Sequence, residues 1–141
     1  MRVEALVARR PVTIGSRATI KQAAELMTRE RIGLLVIASP AAPRRALAVV
    51  SERDLVRAVA SGSPLDGRVE SVATKRPVSA RRSDAPSKAV RLMVEKGIRH
   101  LIVENDDGTL FGVLSIRDFF RENRLLRGLL KEEVEGVHGT D

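Results

Sequence analysis

The same sequence pattern occurs twice in this chain, and this duplication constrains the fold more than any other feature. Residues 3–13 return as residues 69–79, an offset of 66 positions, and residues 48–54 return as residues 112–118, an offset of 64. The two copies therefore keep the same order and nearly the same spacing. A duplicated unit of this kind predicts two similar halves that face each other, with a similar cleft on each.

Composition narrows the class of protein. A chain of 141 residues with 43% hydrophobic content can bury a core within one compact module. Because cysteine is absent and only two histidines occur, disulfides and metal sites have no support. The apolar runs are too short to span a bilayer, and the first residues lack the apolar region of a signal peptide. We therefore expect a cytoplasmic protein with no bound metal, no catalytic cofactor and no membrane contact.

The net charge of +7 permits an anionic partner. The basic residues are spread in pairs along the chain, however, and three phenylalanines without tyrosine or tryptophan offer little on which bases could stack. A basic nucleic-acid-binding protein is thus an alternative class that charge alone supports. An enzyme ranks below it, because the sequence shows no nucleophile with a base or a metal.

Each copy predicts the order strand, helix, strand, strand, helix. In the first copy, one face of a predicted helix carries Ile20, Ala23, Ala24 and Met27. Thr19 or Ser16 could open this helix. In the second copy the corresponding helix runs from about residue 86 to residue 96 and begins with proline, which suits a first turn. The Asn-Asp-Asp-Gly sequence at 105–108 predicts the turn between the last two strands.

We expect a first repeat at residues 1–62, a second repeat at 63–122 and a helical tail at 123–141. The joining segment is short and rich in helix breakers, so the two halves must pack directly together. An apolar stripe continues into the tail and predicts either a helix folded onto its own domain or, as we favour, a homodimer contact. The stripe consists of Phe119, Phe120, Leu125, Leu126, Leu129, Leu130 and Val134.

A serine followed three residues later by an aspartate stands between a strand and a helix in both copies. These pairs are Ser51 with Asp54, and Ser115 with Asp118. Each pair alone is explained by a capping box, in which the serine and the acid satisfy the first amides of a helix. Two such turns at equivalent positions favour a ligand role as well, because strand-to-helix turns are common nucleotide sites.

On these residues the chain resembles the tandem CBS-domain pair, also called a Bateman module. The resemblance rests on the repeated element order, on residues 48–54 and 112–118, on the Gly-Ile-Arg-His-Leu-Ile-Val sequence at 97–103 and on the Arg-Pro-Val sequences at Arg10 and Arg76. It covers residues 3–122. It implies an α/β (α+β) fold in which two β-α-β-β-α repeats pack with pseudo-two-fold symmetry, followed by a C-terminal helical extension.

The resemblance also implies a function. It indicates a non-catalytic regulatory module for adenosine-containing ligands such as AMP, ADP, ATP or, less often, S-adenosylmethionine. Among these we expect AMP, with the module acting through a homodimer or a separate regulated protein. The family's ribose-binding positions correspond to Ser51, Asp54, Ser115 and Asp118. Its adenine slot corresponds to Val12, Thr13, Ile14, Ile32, Val78, Ser79, Ala80 and Ile98. Its phosphate-binding positions correspond to Arg99 and His100, with Arg53 and Arg117 as further candidates.

Departures from the family pattern predict two unequal sites. Ala48 replaces the motif glycine of the first copy, and we expect its methyl group to crowd the Asp54 site, which makes the Asp118 site the preferred one for AMP. A proline usual in the second strand of each copy is replaced by Val36 and Ile102, which restores an amide donor beside the adenine slot. Arg99 has no charged counterpart in the first copy.

Overall fold

The secondary-structure elements follow the duplicated order that the sequence predicts, with one additional short strand at Thr74–Lys75. The computed structural model describes residues 1–8, 10–121 and 131. In chain order the elements are β1 (Thr13–Ile14), α1 (Ile20–Glu30), β2 (Leu34–Ala38), β3 (Ala46–Ser51), α2 (Glu52–Ala60), β4 (Thr74–Lys75), β5 (Ser79–Arg81), α3 (Pro86–Lys96), β6 (His100–Glu104), β7 (Leu110–Ser115) and α4 (Ile116–Arg121). A single 3₁₀ turn precedes each copy, at Val3–Ala5 and at Val69–Ser71.

The strands form two separate small sheets. One has the order β1-β2-β3-β4 and the other has the order β5-β6-β7. In each sheet the first strand runs parallel to the second, and the second pairs with the third in antiparallel fashion. We call the β1–β4 sheet with α1 and α2 the first lobe, and the β5–β7 sheet with α3 and α4 the second lobe. The predicted α+β fold is confirmed.

The helices begin and end where local chemistry allows. Thr19 caps α1, because its Oγ1 accepts from the Gln22 amide at 3.0 Å while the Gln22 side chain accepts from the Thr19 amide at 2.9 Å. Helix α1 ends at Arg31 in the left-handed conformation, with φ 55° and ψ 48°. Helix α3 ends at the equivalent Gly97, with φ 62° and ψ 37°.

The opening segment of each repeat packs into the other lobe. The Val3 amide donates to the Asp84 carbonyl at 2.9 Å, and Val3 and Leu6 are buried in the core of the second lobe. In the same way, the Val69 amide donates to the Ala18 carbonyl at 2.7 Å, and Val69 is buried in the core of the first lobe. The two lobes therefore share their cores through reciprocal segments, a consequence of the duplication that sequence reasoning missed.

The loop before β3 also meets the second lobe. Nη2 of Arg45 donates to the Asp107 carbonyl at 2.7 Å, and the Leu110 amide donates to the Arg44 carbonyl at 2.7 Å. Asp107 belongs to the predicted turn, which closes with the Gly108 amide donating to the Asn105 carbonyl at 2.9 Å. This turn is therefore an inter-lobe contact as well as a connection.

The chain end is described only in part. Phe119 packs against the second-lobe core, whereas Phe120 is more than half exposed. The remaining residues of the predicted apolar stripe lie outside the described residues. Among the helices described, none combines the length and apolar character that crossing a bilayer requires.

Candidate functional site

A cavity of about 610 Å³ lies between the two lobes. The first lobe contributes Ser51 and Asp54, where β3 passes into α2. The second lobe contributes Val78, immediately before β5, and Ile98, immediately before β6. The cavity thus combines the serine-aspartate motif of one repeat with the predicted adenine-slot residues of the other. It is large enough for a nucleotide-sized ligand.

Asp54 caps its own helix and also lines the cavity. Its Oδ2 accepts from the Ser51 amide at 2.9 Å, and its amide donates to the Ser51 Oγ at 3.2 Å, so the predicted capping box is confirmed. Among residues 1–8 and 10–121, no partner hydrogen-bonds to Oδ1 of Asp54. That oxygen can accept from hydroxyl groups of a ligand.

Several apolar side chains line the same cavity. Pro77, Val78, Ile98 and Ile102 line it from the second lobe, and Val49 lines it from β3. The Ile102 amide, which a proline would lack, donates to the Val78 carbonyl at 3.1 Å. This hydrogen bond therefore holds the segment at Val78, part of the predicted adenine slot, against β6. An apolar surface in the same cavity as a carboxylate suits a base attached to a sugar.

Cationic side chains surround this cavity. Arg53 and Arg57 lie one helical turn apart on α2, Lys96 ends α3, and Arg99 precedes β6. The carboxylates among the lining residues are those of Glu52 and Asp54, so the balance of permanent charges is positive. Sequence reasoning missed Arg57, Lys96 and Glu52. The four-residue spacing from Arg53 was a signal for Arg57, because residues at that spacing share a helix face.

His100 also lines the cavity, at the start of β6 and opposite Ser115 in the β6–β7 ladder. Partial burial holds the pKa of His100 below its ordinary value of 6.5, because the protonated ring would lose hydration. Glu52 and Asp118 act in the opposite direction, while Arg117 and Arg99 lower this pKa further. The imidazole is therefore neutral at pH 7.

The remaining predicted residues do not line this cavity. Asp118 is buried, with 5% of its surface exposed, and its Oδ2 accepts from the Ser115 amide at 2.7 Å. Ser115 Oγ accepts from the Arg117 amide at 3.3 Å, so the second cap differs from the first. Val12, Ile14 and Ile32 pack on the first-lobe core, and Ala80 is in the second-lobe core. Thr13 and Ser79 are exposed strand residues. A second cleft containing Asp118, which the sequence favours as the AMP site, stays a prediction.

The crowding expected at Ala48 is not found. At the equivalent Gly112, an added Cβ would lie 2.6 Å from Cγ1 of Val7, so this position faces the core and not the cavity. Ala48 is itself buried in the first-lobe core, with Ala73, the equivalent of Val7, packed against that core. The methyl group of Ala48 therefore does not crowd the Asp54 site, and that expectation is wrong.

Known proteins share this sequence pattern and this fold. The family model described as the CBS domain matches residues 3–61 and 69–124. An uncharacterized 17.7 kDa protein of Acidianus ambivalens is 32% identical over 123 residues, which are 84% of this chain and 73% of that protein. A CBS domain protein from Pyrobaculum aerophilum, solved in complex with AMP, has a TM-score of 0.83 and 38% identity, covering 94% of this chain and 99% of that one.

A more distant structure shows the same fold. It is the CBS-domain pair of a protein solved with 5-methylthioadenosine and S-adenosyl-L-methionine, with a TM-score of 0.77 at 19% identity over 86% of this chain and 94% of that one. The two segments that match the family model and the two sheets of the structure both indicate two CBS domains. The chain belongs to the CBS-domain family and carries the domain as a tandem pair.

Proposed function

We propose that this chain is a non-catalytic regulatory module that binds an adenine nucleotide, AMP foremost, in the cavity containing Asp54. The carrying observation is that one cavity joins the Asp54 carboxylate, an apolar wall at Val78 and Ile98, and several cations. The ribose hydroxyls donate to Oδ1 of Asp54, and the adenine lies against the apolar wall. The AMP complex of the Pyrobaculum aerophilum relative supports this assignment.

The charge of the cavity favours an anionic ligand over a cationic one. Arg53, Arg57, Lys96 and Arg99 line the cavity, whereas only two lining residues are carboxylates. The guanidinium groups suit phosphate because they present several donors in one plane. A nucleotide monophosphate therefore binds more tightly than S-adenosylmethionine, whose sulfonium group these cations repel.

The module acts through exposed apolar helix faces. Val56 and Val59 on α2, and Val90 and Val94 on α3, are exposed valines spaced three or four residues apart, so each pair shares a helix face. Exposed apolar faces are costly to leave in water and fit a second copy of this chain. Because Val56 also lines the cavity, a bound nucleotide and a partner on this face would influence each other. A separate regulated protein could use the same surface.

Isothermal titration with AMP, ADP, ATP, adenosine and S-adenosylmethionine tests the proposal. Asp54→Asn keeps an oxygen for the helix cap but loses the charge, so AMP affinity should fall by about 10- to 100-fold. Asp118→Asn is the matched control in the second lobe and should change AMP affinity far less. If only Asp118→Asn lowers AMP affinity, the ligand binds in the second cleft and not at Asp54. If no nucleotide binds at all, the proposed function is refuted.

The nucleic-acid alternative has a distinct signature. Binding to duplex DNA would weaken steeply as salt rises and would not depend on Asp54. The same purified protein and the Asp54→Asn variant can be titrated with a short duplex at two salt concentrations. Tight, salt-sensitive duplex binding together with no response to AMP would favour this alternative.

A further inference from the structure

Glu52 and His100 approach the same point at the boundary of the two lobes, next to Gly33. Glu52 begins α2 in the first lobe, and His100 begins β6 in the second. A methyl group built on Gly33 would lie 3.1 Å from Oε1 of Glu52 and 3.4 Å from Cε1 of His100, so both side chains surround one point. Both also line the nucleotide cavity. An acid therefore sits beside a titratable ring inside a cavity that otherwise attracts anions.

The charges that face His100 come from three elements. Glu52 of α2 and Asp118 of α4 favour its protonation, whereas Arg117 of α4 and Arg99 beside it oppose protonation. The nearby cavity cations Arg53 and Arg57 lie on α2, and Lys96 ends α3. Burial outweighs these contributions and keeps the free ring neutral. A negative charge that arrives beside this ring favours its protonated form.

On the basis of the nucleotide function proposed above, we propose that His100 is a specificity residue that takes up a proton when a phosphate-bearing nucleotide binds, with Glu52 stabilising the resulting imidazolium. The proton comes from solvent and goes to a ring nitrogen, and no covalent bond to the ligand forms. When His100 is neutral, the negative charge of the Glu52 carboxylate repels the phosphate. With it, the imidazolium offsets Glu52 and adds a donor for the phosphate oxygens.

This pair of residues occurs at only one of the two positions related by the duplication. The residue equivalent to His100 in the first repeat is Leu34, and the residue equivalent to Glu52 in the second repeat is Ile116. Neither equivalent can titrate. The duplicated chain therefore has a proton-linked phosphate site at the Asp54 cavity, with no such pair in the symmetry-related position.

As pH falls, the affinity of the wild-type chain for AMP should rise relative to the affinity of a variant that lacks the imidazole. The phosphate of AMP itself takes up a proton near pH 6, which acts in the opposite direction. A His100 variant provides the reference, because ionisation of the ligand is common to both proteins. A rise of one unit in the pKa of His100 on binding corresponds to about a tenfold change in affinity.

Isothermal titration of AMP into the wild-type chain and His100→Gln, at about pH 7.5 and pH 5.5, measures this effect. The ratio of wild-type to variant affinity should rise about 3- to 10-fold at the lower pH. Titrations in buffers of different ionisation enthalpy should show additional proton uptake by the wild type. Adenosine should show a much smaller pH dependence. His100→Leu, which copies the first repeat, is a second reference if the glutamine variant does not fold.

Glu52→Gln tests the contribution of Glu52 apart from that of His100. It should strengthen AMP binding at the higher pH by removing repulsion, and it should reduce proton uptake by removing the stabilising carboxylate. An affinity ratio and a proton count that do not differ between wild type and the His100 variants would overturn this proposal while AMP binding itself stands. Failure of both AMP and adenosine to bind would refute the proposed function and this inference together.

Discussion

Val7 packs directly over Gly112, so closely that a Cβ on that glycine would lie 2.6 Å from Cγ1 of Val7. The equivalent positions of the other repeat hold Ala73 and Ala48, both within or against the first-lobe core. The second lobe thus combines a valine with a glycine, whereas the first lobe has an alanine at each of the two positions. The duplicated cores are filled by different pairs of complementary size.

This relationship predicts how the pair responds to mutation. Gly112→Ala should destabilise the protein by about 1–3 kcal/mol because the methyl group overlaps Val7. Val7→Ala in the same chain should recover most of that loss, since it reproduces the alanine pair of the first lobe. Urea unfolding of the two single variants and the double variant measures this coupling, and strictly additive effects would contradict it.

The two helix ends at Arg31 and Gly97 form a second matched pair. Arg31 adopts φ 55°, a conformation that side chains disfavour, whereas Gly97 occupies the same place at φ 62°. Arg31→Gly should therefore stabilise the chain by about 0.5–1 kcal/mol, and Gly97→Ala should destabilise it by a similar amount. Arg29→Gly, inside α1, is the control and should cost about 1 kcal/mol. Thermal unfolding distinguishes these signs.

The cavity cations predict a selective loss of phosphate recognition. Lys96→Ala should weaken AMP binding by about 3- to 10-fold, because one charge near the phosphate is lost, and should leave adenosine binding nearly unchanged. Arg91→Ala on the same helix removes an exposed cation that does not line the cavity, and it should affect neither ligand. Equal losses for AMP and adenosine would show that Lys96 acts through structure alone.

The stability of the ligand-free chain should depend on pH through His100. Its pKa is below 6.5 in the folded protein, mainly because of burial, so the unfolded chain binds a proton first as pH falls. Stability should therefore decrease as pH falls through 6.5 toward the lower folded value, and this decrease should be smaller in His100→Gln. Chemical unfolding of both proteins between about pH 7.5 and 5.5 tests the sign.

The exposed valines predict an association surface. Val59 and Val94 are 63% and 75% exposed, so their substitution should not disturb folding. Neither lines the cavity, so their substitution should not remove a ligand contact. If this face joins two copies, Val59→Asp or Val94→Asp should shift the protein from dimer to monomer in light scattering. Leu65→Asp, at an exposed apolar position on the inter-repeat segment, is the control and should leave the mass unchanged.

Local sequence was sufficient to predict most of the elements. Helix α3 runs from Pro86 to Lys96 as expected, since proline at the first turn and glycine after the last one mark both boundaries. Ser51 and Asp54 form the predicted cap for the same reason, because the interaction spans only three residues. Such patterns depend on neighbours in the chain and can be read without a fold.

Contacts between distant residues could not be read this way. The sequence by itself determined the duplication, the order of the elements and the motif that contains Asp54. Only the tertiary structure decided that Val3 and Val69 cross into opposite lobes, and that Asp54 shares its cavity with Val78 and Ile98. The physical reason is that identical repeats have identical local preferences. Which copy packs against which depends on burying apolar surface across the whole chain.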